Sequence, residues 1–104
     1  MDRKKRARLQ AAGWKVGSAA DFLELSPEEA LLVDIRARLA SALLARRAKQ
    51  QMTQAELARR IHSSQSRVAK MEGADGSVSL DLLVRSLLAL GATRKDLATA
   101  IAGK

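Results

Sequence analysis

Residues 52–72 read MTQAELARRIHSSQSRVAKME, and their pattern decides the fold. Thr53 followed by Glu56 three positions later is a capping box, so a helix starts directly after Thr53. Leu57, Ala58 and Ile61 then fall on one side of it. His62-Ser63-Ser64 is a small polar break. Ser64 caps a second short helix, with Val68 and Met71 inward, that ends near Gly73. With those two residues turned inward, Gln65, Ser66, Arg67 and Lys70 are left outside. The stretch is therefore two short helices around a tight turn, the second with a polar outer face.

The flanking sequence continues the same grammar. Ser26-Pro27-Glu28-Glu29 is a helix start: Ser caps, Pro suits the first helical position, and Glu29 completes a second capping box. No breaker follows until about residue 50. Leu32, Ile35, Leu39 and Leu43 form one stripe at three- and four-residue spacing. Arg36, Arg38, Arg46, Arg47 and Lys49 load the later half with positive charge, which suits a helix C-terminus. Ser79 caps the run SLDLLVRSLLAL, which Gly91 terminates. Thr93 starts a last short helix, with Asp96 at its third position and Leu97 and Ile101 inward. Leu and Ala supply the apolar mass and favour helix, and the chain has a single Pro and 2% aromatic residues. The expected fold class is all-α.

A chain of 104 residues holds one small domain and an arm. Residues 1–25 are expected to form a basic arm and a partly ordered extension, and residues 26–104 the domain. MDRKKRAR, residues 1–8, offers almost nothing to bury. In LQAAGWKVGSAADFLEL, residues 9–25, Gly13 and Gly17 break any helix, while Trp14, Val16, Phe22, Leu23 and Leu25 need cover from the domain or a partner.

Net charge is +8, and its distribution is uneven. Residues 1–15 carry six Lys/Arg and one acid. Residues 21–34 carry five acids and no base; residues 36–70 carry nine bases and the single acid Glu56. Such segregation reads as a polyanion-binding surface with an acidic patch upstream. There is no Cys, which excludes a disulfide framework and a thiolate metal site. No apolar run approaches the roughly 20 residues needed to span a bilayer, and no signal-peptide core follows the basic start; a cytoplasmic location is expected. One lone His, no Tyr and no Gly-rich phosphate loop argue against an enzyme, and no metal or other cofactor is expected. Asp75-Gly76 reads as a turn, and Ser63, Ser64 and Ser66 are explained by caps and turns.

TQAELARRI-HSS-QSRVAKME resembles the helix-turn-helix of the Cro/cI (XRE) family of DNA-binding proteins. The five-helix order across residues 43–101 resembles that family's lambda-repressor-like domain, here with a long first helix. The resemblance implies that the second short helix reads the major groove of operator DNA. The base-reading positions fall on Gln65, Ser66 and Lys70, beside the capping Ser64. Gln pairs bidentately with adenine, Arg or Lys with guanine; Arg67 either reads a base or clamps a phosphate. Gln54 matches a phosphate-contacting position at the start of the preceding helix, or else is an exposed polar residue there. Arg59 and Arg60 add sequence-independent affinity. Arg47 and Glu72 match positions that form an ion pair inside related domains. This sequence departs from the pattern at His62, where a turn Gly is usual, at Ser63, where an apolar residue is usual, and at Gln51, where Gly is common.

Operator binding by this family implies a homodimer, since two recognition helices must meet successive major-groove faces. Leu80, Leu82, Leu83, Val84, Leu87, Leu88 and Leu90 exceed what one helix face needs, which suits either self-association or a wider core. The segment from Gly13 to Arg47 resembles the N-terminal part of small HigA-like antitoxins. That resemblance implies a HigB/RelE-like toxin partner, met electrostatically by the acidic stretch 21–34 and anchored by Trp14, Phe22 and Leu25. The basic arm Arg3, Lys4, Lys5, Arg6, Arg8 either tracks DNA or only aids solubility.

Overall fold

In a computed structural model, which describes residues 25–103, five helices follow one another: α1 (Pro27–Lys49), α2 (Gln54–Arg60), α3 (Gln65–Glu72), α4 (Leu80–Ala89) and α5 (Arg94–Ala102). There is no strand among the described residues, so the all-α expectation holds. None of these helices is long and apolar enough to cross a membrane. The chain divides into two compact units, Met1–Ile35 and Arg36–Lys104.

Local capping chemistry starts every helix. Ahead of α1 the Glu29 N–H donates to Ser26 Oγ at 3.1 Å and the Ser26 N–H to Glu29 Oε1 at 2.9 Å. The same reciprocal pair opens α2 through Thr53 and Glu56 and α5 through Thr93 and Asp96. Ser64 and Ser79 cap α3 and α4. Each box carboxylate accepts a backbone N–H, which favours its charged form. Glu29, Glu56 and Asp96 are accordingly held below the ordinary carboxylate range, in each case first by the hydrogen bond from the capping residue's backbone.

The helix ends share a device of their own. Met52 N–H donates to Arg47 O, Ser63 to Ala58, Asp75 to Lys70 and Ala92 to Leu87, at 2.8–3.1 Å. Each is the six-to-one bond of a Schellman motif, which places the preceding residue in the left-handed region. Those residues are Gln51 (φ 58°), His62 (φ 57°), Ala74 (φ 57°) and Gly91 (φ 90°). Only the last lacks a Cβ, and left-handed backbone costs other residues roughly 1–2 kcal/mol each. His62 therefore takes the strained conformation that the missing turn glycine foreshadowed. Ala74 is a surprise, because Gly73 stands one residue too early and keeps φ −88°.

The core is built by Leu39, Ala40, Leu43, Leu57, Ala58, Val68, Met71, Val78, Leu83, Leu87 and Leu90, each at most 4% exposed. The α1 stripe is buried only from Leu39 onward; Ile35 is half-buried and Leu32 exposed. At the other end α5 has no buried residue, and Ile101, expected inward, is exposed. Leu83, Leu87 and Leu90 of the leucine-rich run go inside, whereas Leu88 faces out. Ser86, the one buried polar residue among those described, donates to Leu82 O at 2.8 Å.

Candidate nucleic-acid interface

α2 packs on α3 through the four-residue corner Ile61–Ser64. Ser64 Oγ accepts the Arg67 N–H at 3.2 Å and lies 3.2 Å from Ser66 Oγ, so the first turn of α3 is held from its own N-terminus. Val68 and Met71, both fully buried, fasten the helix to the core. Gln65, Ser66, Arg67 and Lys70 are all exposed. The first turn holds no acid, so nothing offsets the positive end of the helix dipole there.

Ser64, Ser66, Arg67 and Lys70 line one polar concavity together with Ser77 and Val78. Four of the six residues expected to meet DNA are thus brought together, and Gln65 stands on the same helix turn as Ser66. Ser77 and Val78 were not anticipated. The Asp75-Gly76 turn was legible, and its Asx bond is present, Ser77 N–H to Asp75 Oδ1 at 2.8 Å. What local sequence did not carry is the approach of this loop to α3.

Gln54 is placed differently. It is half-buried at the start of α2, and its Nε2 donates to Glu72 Oε1 at 3.0 Å. Glu72 also receives Arg47, at 2.5 Å from Nε to Oε2 and 2.9 Å from Nη2 to Oε1, while Arg47 Nη1 reaches Met52 O at 2.8 Å. The two side chains are 15% and 5% exposed. Hydrogen bonding to the Glu72 carboxylate raises the Arg47 pKa above its ordinary value, against the opposing effect of burial. This bidentate fork ties α1, the loop before α2, the first residue of α2 and the last residue of α3 into one frame. Gln54 therefore belongs to the frame rather than to the concavity.

Arg59 and Arg60 are exposed on the last turn of α2. His62 is exposed at the corner, and no group of metal-ligating side chains occurs among the described residues. Leu25 is half-buried; Trp14 and Phe22 lie outside the described residues, as does the basic arm. Just after the start of α1, Leu32 of the stripe is exposed together with its neighbours Leu31 and Val33.

Residues 19–95 match a family model described as a helix-turn-helix domain. No curated protein and no solved structure matches the chain.

Proposed function

The chain belongs to the helix-turn-helix domain family, a DNA-binding fold, and on that premise we propose that it is a cytoplasmic, sequence-specific transcriptional regulator of the Cro/cI type. It binds operator DNA as a homodimer, with α3 in the major groove. Gln65, Ser66 and Lys70 read bases there, and Arg59 and Arg60 contribute counterion release. Gln54, held on Glu72, presents its backbone N–H and its remaining amide proton to a phosphate. The reading assigns the chain no catalytic step and no cofactor.

The observation that carries this is the exposed polar face of α3 opposite Val68 and Met71, both 0% exposed. A helix so fixed and so faced can reach base edges. Support for the homodimer comes from α5. It leaves a cleft of about 600 Å³ against α1, lined by Ala42, Ala45, Leu87 and Leu97 and also by the paired Arg46 and Asp96. Leu88 and Ile101 are exposed besides, apolar side chains that a second copy would remove from water.

The finer reading is that the chain is the antitoxin and autorepressor of a HigB/RelE-like toxin module, with residues 1–25 the extension and 26–104 the domain. Glu28 and Glu29 beside exposed Leu31, Leu32 and Val33 give α1 an acidic and apolar start, which suits a basic partner. Trp14, Phe22 and Leu25 are its proposed anchors. The test is co-purification from the native cell with tagged protein, with and without residues 1–25, identifying both protein and DNA. A small basic ribonuclease lost on truncation, with promoter DNA retained in both, is the expected result. Promoter DNA with no protein partner contradicts the antitoxin role and leaves a stand-alone regulator; no enriched DNA contradicts the regulator itself.

A further inference from the structure

The concavity beside α3 has the chemistry of an anion seat. Two cations, Arg67 and Lys70, line it with three serines, and among the described residues neither cation forms an ion pair. In the Ser64–Ser66 hydroxyl pair one proton bridges the two oxygens, which leaves the other to donate outward. A base edge offers a mixture of donors and acceptors; a site whose free groups are donors fits a phosphate oxygen better.

The far wall of the seat is held from a distance. Arg36 lies on α1, half-buried, and its Nη1 donates to the Val78 carbonyl. Val78 is 3% exposed, and its N–H returns to Asp75 O at 3.1 Å. Asp75 N–H is bound to Lys70 O at 3.0 Å. The loop from Gly73 to Ser79 is therefore pinned at one end to α3 and at the other to α1, with Ser77 between. We propose that the concavity seats one phosphodiester of the DNA backbone, and that Arg36, through the Val78 carbonyl, is the positioning residue that sets its Ser77 wall. This rests on the DNA-binding reading above and revises it at Ser66 and Lys70, which it moves from base edges to the backbone beside Arg67, leaving Gln65 as the base reader.

Asp75 opposes the anion. Its carboxylate binds Ser77 through both side chain and backbone, and those bonds, with the Lys70 charge, hold its pKa below the ordinary carboxylate value. It therefore restrains the Ser77 hydroxyl and repels an incoming phosphate. Asp75→Asn should raise affinity for DNA, whereas a loop of merely structural importance should give no gain.

The test uses the full chain and its selected operator, unmodified or with a neutral methylphosphonate at single backbone positions, titrated across salt. The wild type should lose about tenfold at one phosphate per half-site, the size of one charge-assisted hydrogen bond. Arg36→Met and Lys70→Ala should lose that sensitivity, and the slope of log affinity against log salt should fall by about one for each. Arg36→Lys should restore both. If Arg36→Met keeps the wild-type methylphosphonate pattern and slope, the positioning role is overturned. If Asp75→Asn leaves affinity unchanged, the phosphate seat is overturned, and this variant does not depend on Arg36→Met folding. Wild-type protein that binds no duplex overturns the DNA reading itself, and the seat with it.

Discussion

Arg47→Met destabilises the domain by about 3–5 kcal/mol, the cost of leaving a buried carboxylate without its ionic partner. Glu72 is the reason. With 5% of its side chain exposed, it has little access to water, and after the substitution only the Gln54 amide is left to solvate it. Replacing Glu72 as well, as Arg47→Met/Glu72→Met, should recover most of the loss, because two apolar side chains of similar length remove the desolvation penalty of both charges. Denaturant titration of the wild type, the single and the double variants measures this directly. A single variant within about 1 kcal/mol of wild type, the size of an exposed surface pair, would show that the fork is not the frame described here. The double variant separates two roles of the pair. It should fold, yet it has lost the Glu72 carboxylate that orients Gln54, so its DNA affinity should stay below wild type.

Met71→Ala costs about 2–5 kcal/mol through the cavity left under α3. Val68 and Met71 are the buried residues of that helix, and Met71 also lies 3.5 Å from the Ser86 hydroxyl. Shortening it removes half of what holds the helix down, in a small domain whose whole margin is of the order of 5–15 kcal/mol. Met71→Leu keeps the volume and should cost under about 1.5 kcal/mol. Thermal and denaturant unfolding give the stabilities. DNA titration of Met71→Leu should follow wild type, since no atom on the exposed face of α3 has changed. Equal losses for Ala and Leu would mean that the sulfur, not the packing, anchors the helix.

The features legible in the sequence are those that depend on residues a few positions apart. Ser26, Thr53, Ser64, Ser79 and Thr93 each announce a helix start because a cap acts on a backbone N–H within three residues. His62 and Gln51 announce left-handed corners only through the glycine expected of a relative, and Ala74 announces nothing, because Gly73 beside it looked like the stop. The Arg47–Glu72 pair was likewise reached through resemblance, being 25 residues apart. Periodicity puts Leu32 and Ile101 on the apolar sides of their helices, yet both are exposed, because spacing tells which side a residue takes but not whether anything covers it. The approach of Ser77 to α3 depends on a bond from Arg36 to Val78, 42 residues away, and on packing that no local pattern encodes. Gln54 matches a phosphate-contacting position only by resemblance, and its bond to Glu72 exists only once α1, α2 and α3 are assembled.

The central claim is that the outer face of α3 reads base edges in the major groove. The most direct measurement replaces single adenines of the selected operator by 7-deazaadenine, which deletes one major-groove acceptor while leaving pairing and backbone intact, and compares wild type with Gln65→Ala. Wild type should lose about 1 kcal/mol at one adenine per half-site, the size of the one hydrogen bond to N7 that is deleted from the Gln–adenine pair. Gln65→Ala should bind more weakly, accept other base pairs at that position, and be indifferent to the deaza substitution there. A wild type indifferent to every deaza position, or a Gln65→Ala protein as sensitive as wild type, would contradict the placement of α3 in the groove.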